Sequence, residues 1–309
     1  MEDLRPTVTL LNEVFGFDPH IGVAHLEWYY RGNPEGPAAV GRVDVDGRQV
    51  GNYALIPLRF QAADGRTIRL GLGVDLCVHP DARGTGAYRR TVEDSYRAGI
   101  AGGLDGILGV GNAQSVPRMV ETMGWSALES LPVRLLTSRP GAERLSPVPV
   151  DSALLGGGLL DELLPEPTGA PSSGHATIWT AELLRWRLAR PGATYVLHVG
   201  RDVLLVSCTA MVGPVRVAIL LKAILRRPLQ GPLPSGPLAA ALARHHRTPL
   251  VLHWGANPGI RFSGLRVPRR LQPSQLGIVL HCLSTGEGSP IGDDGITLTS
   301  FEFLDLDAY

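Results

Sequence analysis

The sequence has little of what would mark a charged partner, an oxidising compartment or a membrane span. Its 309 residues carry 29 Lys+Arg against 29 Asp+Glu, so the formal net charge at pH 7 is zero. Binding to nucleic acid through bulk positive charge is therefore not expected. Cysteine is scarce: Cys77, Cys208 and Cys282 lie far apart with no CxxC pair. That argues against a disulfide framework or a thiolate metal site and reads as buried thiols in a reducing compartment. Lysine is scarcer still, with Lys222 alone. No uninterrupted apolar stretch approaches the roughly 18 residues of a membrane helix. The longest, Val215 to Leu225, is broken by Arg216 and Lys222. The opening Met1-Glu2-Asp3-Leu4-Arg5 is acidic and has no apolar run after it, unlike a secretory signal. A cytoplasmic location is the expectation.

What is abundant is core-forming material: 44% of residues are hydrophobic, enough for a substantial interior. The length suits two ordinary domains. Proline and glycine crowd the stretch from Thr137 to Ser173, which punctuates structure rather than continuing it. The boundary is therefore expected near residue 145, giving domains 1–145 and 146–309. The two halves echo one another. Trp28, before Asn33-Pro34, is matched by Trp186 before Pro191, and Gly111-Asn112 by Gly255-Ala256-Asn257. A period this long suggests duplicated domains rather than a solenoid.

Within the first half, Ala38 to Val45 and Val50 to Phe60 read as a hairpin around Asp46-Gly47. A strand is expected over Thr67 to Val78 and a helix from Tyr88 to Ala101. A short strand over Gly106 to Val110 and a helix over Ser115 to Met123, closed by Gly124, should follow. Antiparallel strands leading into a strand–helix–strand unit predict an α/β chain with a mixed sheet.

The strand from Thr67 to Val78 alternates cleanly. Leu70, Leu72, Val74, Leu76 and Val78 share one face; Gly71, Gly73, Asp75 and Cys77 share the other. Glycines within a strand often mark the close approach of a ligand or another backbone. The alternative is a face covered by a helix. After His79-Pro80-Asp81, the loop Ala82-Arg83-Gly84-Thr85-Gly86-Ala87-Tyr88 opens a helix, where unpaired amides and the dipole suit an anion such as a pyrophosphate. It matches neither GxGxxG nor GxxxxGK[ST], which disfavours dinucleotide and nucleoside-triphosphate readings.

Val74 to Ala87 resembles the acyl-CoA-binding motif of the GCN5-related N-acetyltransferase superfamily, in which a strand turns through a His-Pro corner into Q/R-x-x-G-x-G/A. Here Arg83 and Gly86 fill the motif, and Tyr88 stands where Gly or Ala is usual. Gly111-Asn112 followed by Gly124-Trp125 resembles the superfamily's second signature. The resemblance covers roughly residues 25 to 136 and implies two tandem domains of this fold. The second would be degenerate, because Leu221 to Pro228 has no glycine loop. Acyl-CoA would be the co-substrate and an amine-bearing small molecule the acceptor, with no metal. The resemblance implies that backbone groups of Leu76, Cys77 and Val78 pair with the pantetheine arm. Amides of Arg83, Gly84, Thr85, Gly86, Ala87 and Tyr88 would hold the pyrophosphate, and Asn112 and Ser115 would contact the adenylate end or the pantetheine. Many members carry a tyrosine general acid at the position of Val120 here, so that acid is missing. Among tandem members, those that acylate the amino sugar of glycopeptide antibiotics, and the mycothiol-forming acetyltransferase, are the substrate types implied. A CoA-binding protein without turnover is the rival.

For catalysis the candidates are Asp75, on the glycine face, and His198, in the corresponding strand of the second half. Trp28, Tyr29, Trp186 and His253 are candidates for lining an acceptor site. For Trp28 and Tyr29 the competing reading is a helix packing its aromatic face on the sheet, and for each histidine a satisfied core residue.

Overall fold

A computed structural model of the chain describes residues 3–112, 114–141, 143–272, 276–284, 290–291 and 295–306. It divides into two compact units. The first comprises Met1–Phe60, Arg66–Leu128 and Ile278–Ile296; the second comprises Gln61–Gly65, Glu129–Gly277 and Thr297–Tyr309.

In the first unit, helix α1 (Arg5–Phe15) ends at left-handed Gly16. Helix α2 (Val23–Leu26) runs on into a wider π turn, Glu27–Arg31. Strands β1 (Ala39–Val45) and β2 (Arg48–Ala62) form the expected hairpin, pairing Ala39 with Leu55 through Val45 with Arg48. Asp46 and Gly47, both at positive φ, make its turn. Strand β3 (Thr67–Val78), helix α3 (Ala87–Ala101), strand β4 (Gly106–Gly111) and helix α4 (Ser115–Met123) follow within a residue of expectation. Helix α3 lies hard against the hairpin. A methyl group at Gly41 would strike the Thr91 backbone oxygen, and one at Gly51 the Thr91 hydroxyl. Behind it Tyr53, Leu55, Val92, Leu104, Ile107, Trp125 and Val279 form a core cluster.

The second unit repeats this order. Helix α5 (Ala181–Leu188), capped by Thr180, carries Trp186. Strands β5 (Val196–Val199), β6 (Val203–Val212) and β7 (Val215–Leu225) then pair antiparallel in succession. Helix α6 (Ser235–His246) leads to β8 (Val251–Ala256), which lies parallel to β7. Helix, hairpin, strand, helix, parallel strand is the sequence of elements in both units. Among the described residues no helix is long and apolar enough to cross a membrane.

The division differs from the expected one at residue 145. The first unit ends at Leu128 but regains Ile278–Ile296. The strand beside β4 is Gly277–Cys282, which also pairs with Ser126–Ala127 (Val279 with Ala127, Leu280 with Ser126). Conversely, the strand Val133–Leu136 lies antiparallel to β8, pairing Trp254 with Val133. The first unit is thus finished by a strand that follows the second unit's long segment, and a linear cut could not find it.

A buried polar relay ties β5, β6 and α6 together. His198 Nε2 and His246 Nε2 each lie 2.8 Å from the Ser207 hydroxyl, which can donate to only one and accept from the other. Burial, and then the neighbouring His245 and His246, push His198 down to about 3. Burial, followed by His245 and Arg216, pushes His246 down to about 4. Both values lie below the ordinary pKa near 6.5. As pH falls below that, the unfolded chain takes protons that the folded chain refuses, so stability is fully present above about 6.5 and is lost towards pH 3–4. Thermal melts of His198→Phe should show a flatter decline between pH 6.5 and 4 than the parent; identical slopes would remove His198 from the account.

Candidate functional site

Strands β3 and β4 run parallel, pairing Leu70 with Gly106 through Gly73 with Gly109, and the ladder stops there. Both strands continue, β3 to Val78 and β4 to Gly111, so their backbones part beyond Gly73. Among the described residues, no ladder pair between β3 and β4 is formed past Gly73 and Gly109. At the far end of this gap begins α3. Gly84 and Gly86 both take left-handed φ (80° and 79°), a conformation that costs glycine nothing. The first intrahelical bond is Arg90 N–H to Gly86 O, 3.1 Å, so the amides of Gly86 to Arg89 precede the helical ladder. The cleft between them, about 360 Å³, is lined by Val14 and Phe15 of α1, Leu76–Val78 of β3, Ala82–Gly84, Gly86, Tyr88 and Arg118 of α4. Its lining combines apolar side chains with the guanidinium groups of Arg83 and Arg118. Of the loop residues expected from the sequence, Arg83, Gly84, Gly86 and Tyr88 line this cleft; Thr85 does not, its hydroxyl donating to the Ala82 carbonyl at 2.8 Å, and the Ala87 side chain is turned inward to the core.

Asp75 stands two residues past the last ladder pair. It adopts φ 56°, uncommon for a non-glycine residue and worst for branched ones. Tyr30 donates its hydroxyl to Asp75 Oδ2 at 2.7 Å, and Asn52 Nδ2 donates to Tyr30 Oη at 3.0 Å and to the Asp75 carbonyl at 3.1 Å. The π turn that carries Trp28, Tyr29 and Tyr30 sets all three inward. Burial, and then the Asp75 charge, hold the Tyr30 phenol well above its ordinary range, so it remains a donor. Neither Tyr30 nor Asn52 was singled out from the sequence as a partner of Asp75, although an asparagine inside the apolar β2 run was a visible signal.

The left-handed residue also breaks the expected alternation. A methyl group at Gly71 would meet Leu55 and Leu104 at 2.8 Å, and one at Gly73 would strike the Tyr53 hydroxyl. Leu76 packs into that same cluster of Tyr53, Leu55 and Leu104. So Leu76 shares the face of Gly71 and Gly73 rather than that of Leu70. The glycines admit protein side chains, not a ligand, and the reading of a bare ligand face is corrected accordingly.

Other expected site residues have structural roles. Asn112 and Ser115 cap α4 reciprocally: Asn112 Oδ1 accepts from the Ser115 amide at 2.9 Å, and Ser115 Oγ accepts from the Asn112 amide at 3.0 Å. Trp28 and Tyr29 are buried and stacked at 5.0 Å, so the helix-packing reading holds for them. Trp186 is buried under the Arg187 guanidinium. His198 is locked in the relay described above instead of projecting towards an acceptor. His253 is fully buried, its Nε2 3.0 Å from Glu302 Oε1. None of these five aromatic and histidine candidates for acceptor and catalytic work is among the residues that line the cleft.

His253 belongs to the second unit's counterpart of the gap. There the parallel ladder ends at Leu220 with His253. Three residues past it stands Ala223, as Leu76 does in the first unit. Asn257 donates to the Ala223 carbonyl at 2.8 Å, and Glu302 Oε2 accepts from its amide at 3.3 Å. Past the end of this ladder the backbone is bonded by the chain's own side chains. Lys222 completes the plug, 2.7 Å from Asp305 Oδ2 and 3.3 Å from Glu302 Oε2. Trp179 Nε1 donates to Asp305 Oδ1 at 3.0 Å. Burial alone would lower the Lys222 pKa, but Asp305 and then Glu302 raise it, so the ammonium persists.

No family model and no curated protein matches the chain. Its fold recurs in solved structures. One, from Enterococcus faecalis, is named a conserved protein of unknown function and probable N-acyltransferase; it has 10% identity and a TM-score of 0.61, over 91% of this chain and 70% of that one. A GCN5-related N-acetyltransferase from Anabaena variabilis has 11% identity and a TM-score of 0.57, over 92% and 71%. Eis1 from Mycobacterium abscessus has 12% identity and a TM-score of 0.53, over 91% and 71%. At such identities the likeness is one of fold, a mixed α/β arrangement.

Proposed function

We propose that the chain is an acyl-CoA-dependent N-acyltransferase whose first unit binds the acyl-CoA. The observation that carries this reading is the cleft beside the end of β3, past the point where its ladder with β4 stops, with Leu76–Val78 along its wall and the loop that opens α3 beside them. In this reading the Leu76–Val78 backbone runs beside the pantetheine arm, and the Gly84–Tyr88 amides with Arg83 hold the pyrophosphate. An acceptor amine attacks the thioester carbonyl; a carbon–nitrogen bond forms and the carbon–sulfur bond breaks. Asp75, held by Tyr30, takes the proton from the amine. With Val120 at the usual acid position, water returns a proton to the thiolate. Cys77 lines the cleft, but burial, and then Asp75, push its thiol up to about 12, too high for a nucleophile at neutral pH. Direct transfer therefore fits better than a covalent intermediate. The free cysteines suit a cytoplasmic setting. The acceptor is an amine-bearing small molecule, and the amino sugar of a glycopeptide antibiotic is the first to try.

Calorimetry with free CoA, acetyl-CoA and decanoyl-CoA tests this directly. Binding of all three is expected, and tightening with chain length would assign Val14 and Phe15 to an acyl path. If none binds, the reading fails. A second reading, CoA binding without turnover, is favoured by Val120. It predicts affinity for acetyl-CoA with no release of free thiol in the presence of amines.

A further inference from the structure

The β6–β7 hairpin of the second unit runs out past its neighbours. Its strands pair with each other from Val203 with Leu225 to Val212 with Val215. The ladder with β5 ends at Ser207, and the ladder with β8 begins at Ala218. From Thr209 to Arg216 the hairpin is a two-stranded ribbon, and every residue of it except half-buried Ala210 is exposed. Four residues of each strand give it a reach of about 13 Å. Its tip is apolar. Met211 is 62% exposed, Val215 44% and Val212 37%, with Gly213-Pro214 between the strands. A single exposed apolar side chain needs no explanation, but three at the end of one projecting ribbon do. Behind the tip the charge is of one sign. Thr248 Oγ1 donates to the Arg216 carbonyl at 2.8 Å, which sets the base of the ribbon beside the end of α6, where Arg244 and Arg247 are exposed. His246, at that helix end, feels the Arg216 charge. No acidic residue occurs between Asp202 and Glu287, so the ribbon and the helix end carry cations alone. The zero net charge of the whole chain conceals this.

An apolar tip in front of a cationic base matches the depth order of a bilayer, whose anionic headgroups lie above apolar chains. We infer that the ribbon is an interfacial anchor that docks the protein on an anionic lipid surface. Met211, Val212 and Val215 enter the boundary between headgroups and acyl chains, while Arg216, Arg244 and Arg247 meet the lipid phosphates. A second copy docking tip to tip would set like charges against each other. An acidic protein would satisfy the arginines but give no reason for an apolar tip. The inference stands apart from the acyl-CoA reading, since neither the cleft nor Asp75 takes part in it.

Flotation of the full chain with two kinds of vesicle tests this: phosphatidylcholine alone, and phosphatidylcholine with an equal amount of phosphatidylglycerol. Binding is expected to the mixed vesicles only and should weaken as salt is raised. Arg216→Gln with Arg247→Asn should weaken it roughly 30-fold, about fivefold for each cation. Asparagine suits the left-handed backbone at Arg247. Met211→Thr, Val212→Thr and Val215→Thr together should weaken it about tenfold or more. Exposed strand positions accept threonine, so this variant should melt at the parent temperature. Absence of binding to the mixed vesicles, or binding that neither variant changes, overturns the assignment. A parent that stays off the vesicles and sediments as a dimer, which the threonine variant splits, overturns it in favour of a second copy.

Discussion

Methionine in place of Lys222 is expected to cost about 3–5 kcal/mol of stability, the range seen when one partner of a buried ion pair is removed. Lys222 is 1% exposed and stands between the buried carboxylates Glu302 and Asp305. Without the ammonium, two negative charges would share a site with no water to screen them. Denaturant unfolding should show a lower midpoint at unchanged slope. Replacing all three together (Lys222→Met, Glu302→Gln, Asp305→Asn) should recover much of the loss, because the cost lies in the orphaned charges and not in the vanished methylenes. A loss below about 1 kcal/mol for Lys222→Met would mean that the carboxylates are not ionised in the fold.

Asp75→Asn should lower the rate of acyl transfer by about 10²- to 10⁴-fold while leaving CoA affinity in place, the effect of removing a positioned proton acceptor. Asparagine tolerates the left-handed backbone that Asp75 adopts, so the fold should survive the change. Tyr30→Phe removes the hydrogen bond that aims the carboxylate and should cost less. A kcat within about threefold of the parent would remove Asp75 from the chemistry. The comparison separates binding from turnover, since the loop amides proposed to hold the donor are untouched.

Much of the first unit was readable because its signals are local. The hairpin followed from Asp46-Gly47, the ends of β3 from its apolar alternation, and the start of α3 from the paired glycines of the loop. Two features depended on information that no local window holds. Strict alternation assumes an unbroken pleat, and the left-handed Asp75 shifts it, so Leu76 joins the glycine face. That conformation is sustained by Tyr30 and Asn52, distant in sequence, which no spacing rule brings to Asp75. The second feature is the strand that finishes the first unit. Gly277–Cys282 reads as an apolar strand, but its edge beside β4 lies some 170 positions upstream, and partners across such a separation cannot be ranked by periodicity. The histidines were ambiguous for a related reason. A histidine in an apolar strand suits both a ligand and a buried relay, and only Ser207 and Glu302 decide between them.

The arginine-for-lysine bias has a chemical consequence once Lys222 is placed. Thioesters of the kind proposed for the cleft acylate uncatalysed any neutral primary amine they meet, and surface lysines are the usual targets. Guanidinium groups stay protonated and do not react in this way. The only side-chain amine of this chain is charged, sealed from solvent and clamped by two carboxylates. A protein built like this can hold a reactive acyl donor at high occupancy without modifying its own surface. Amine-directed reagents should likewise leave every side chain of the folded protein unlabelled and reach Lys222 only on unfolding.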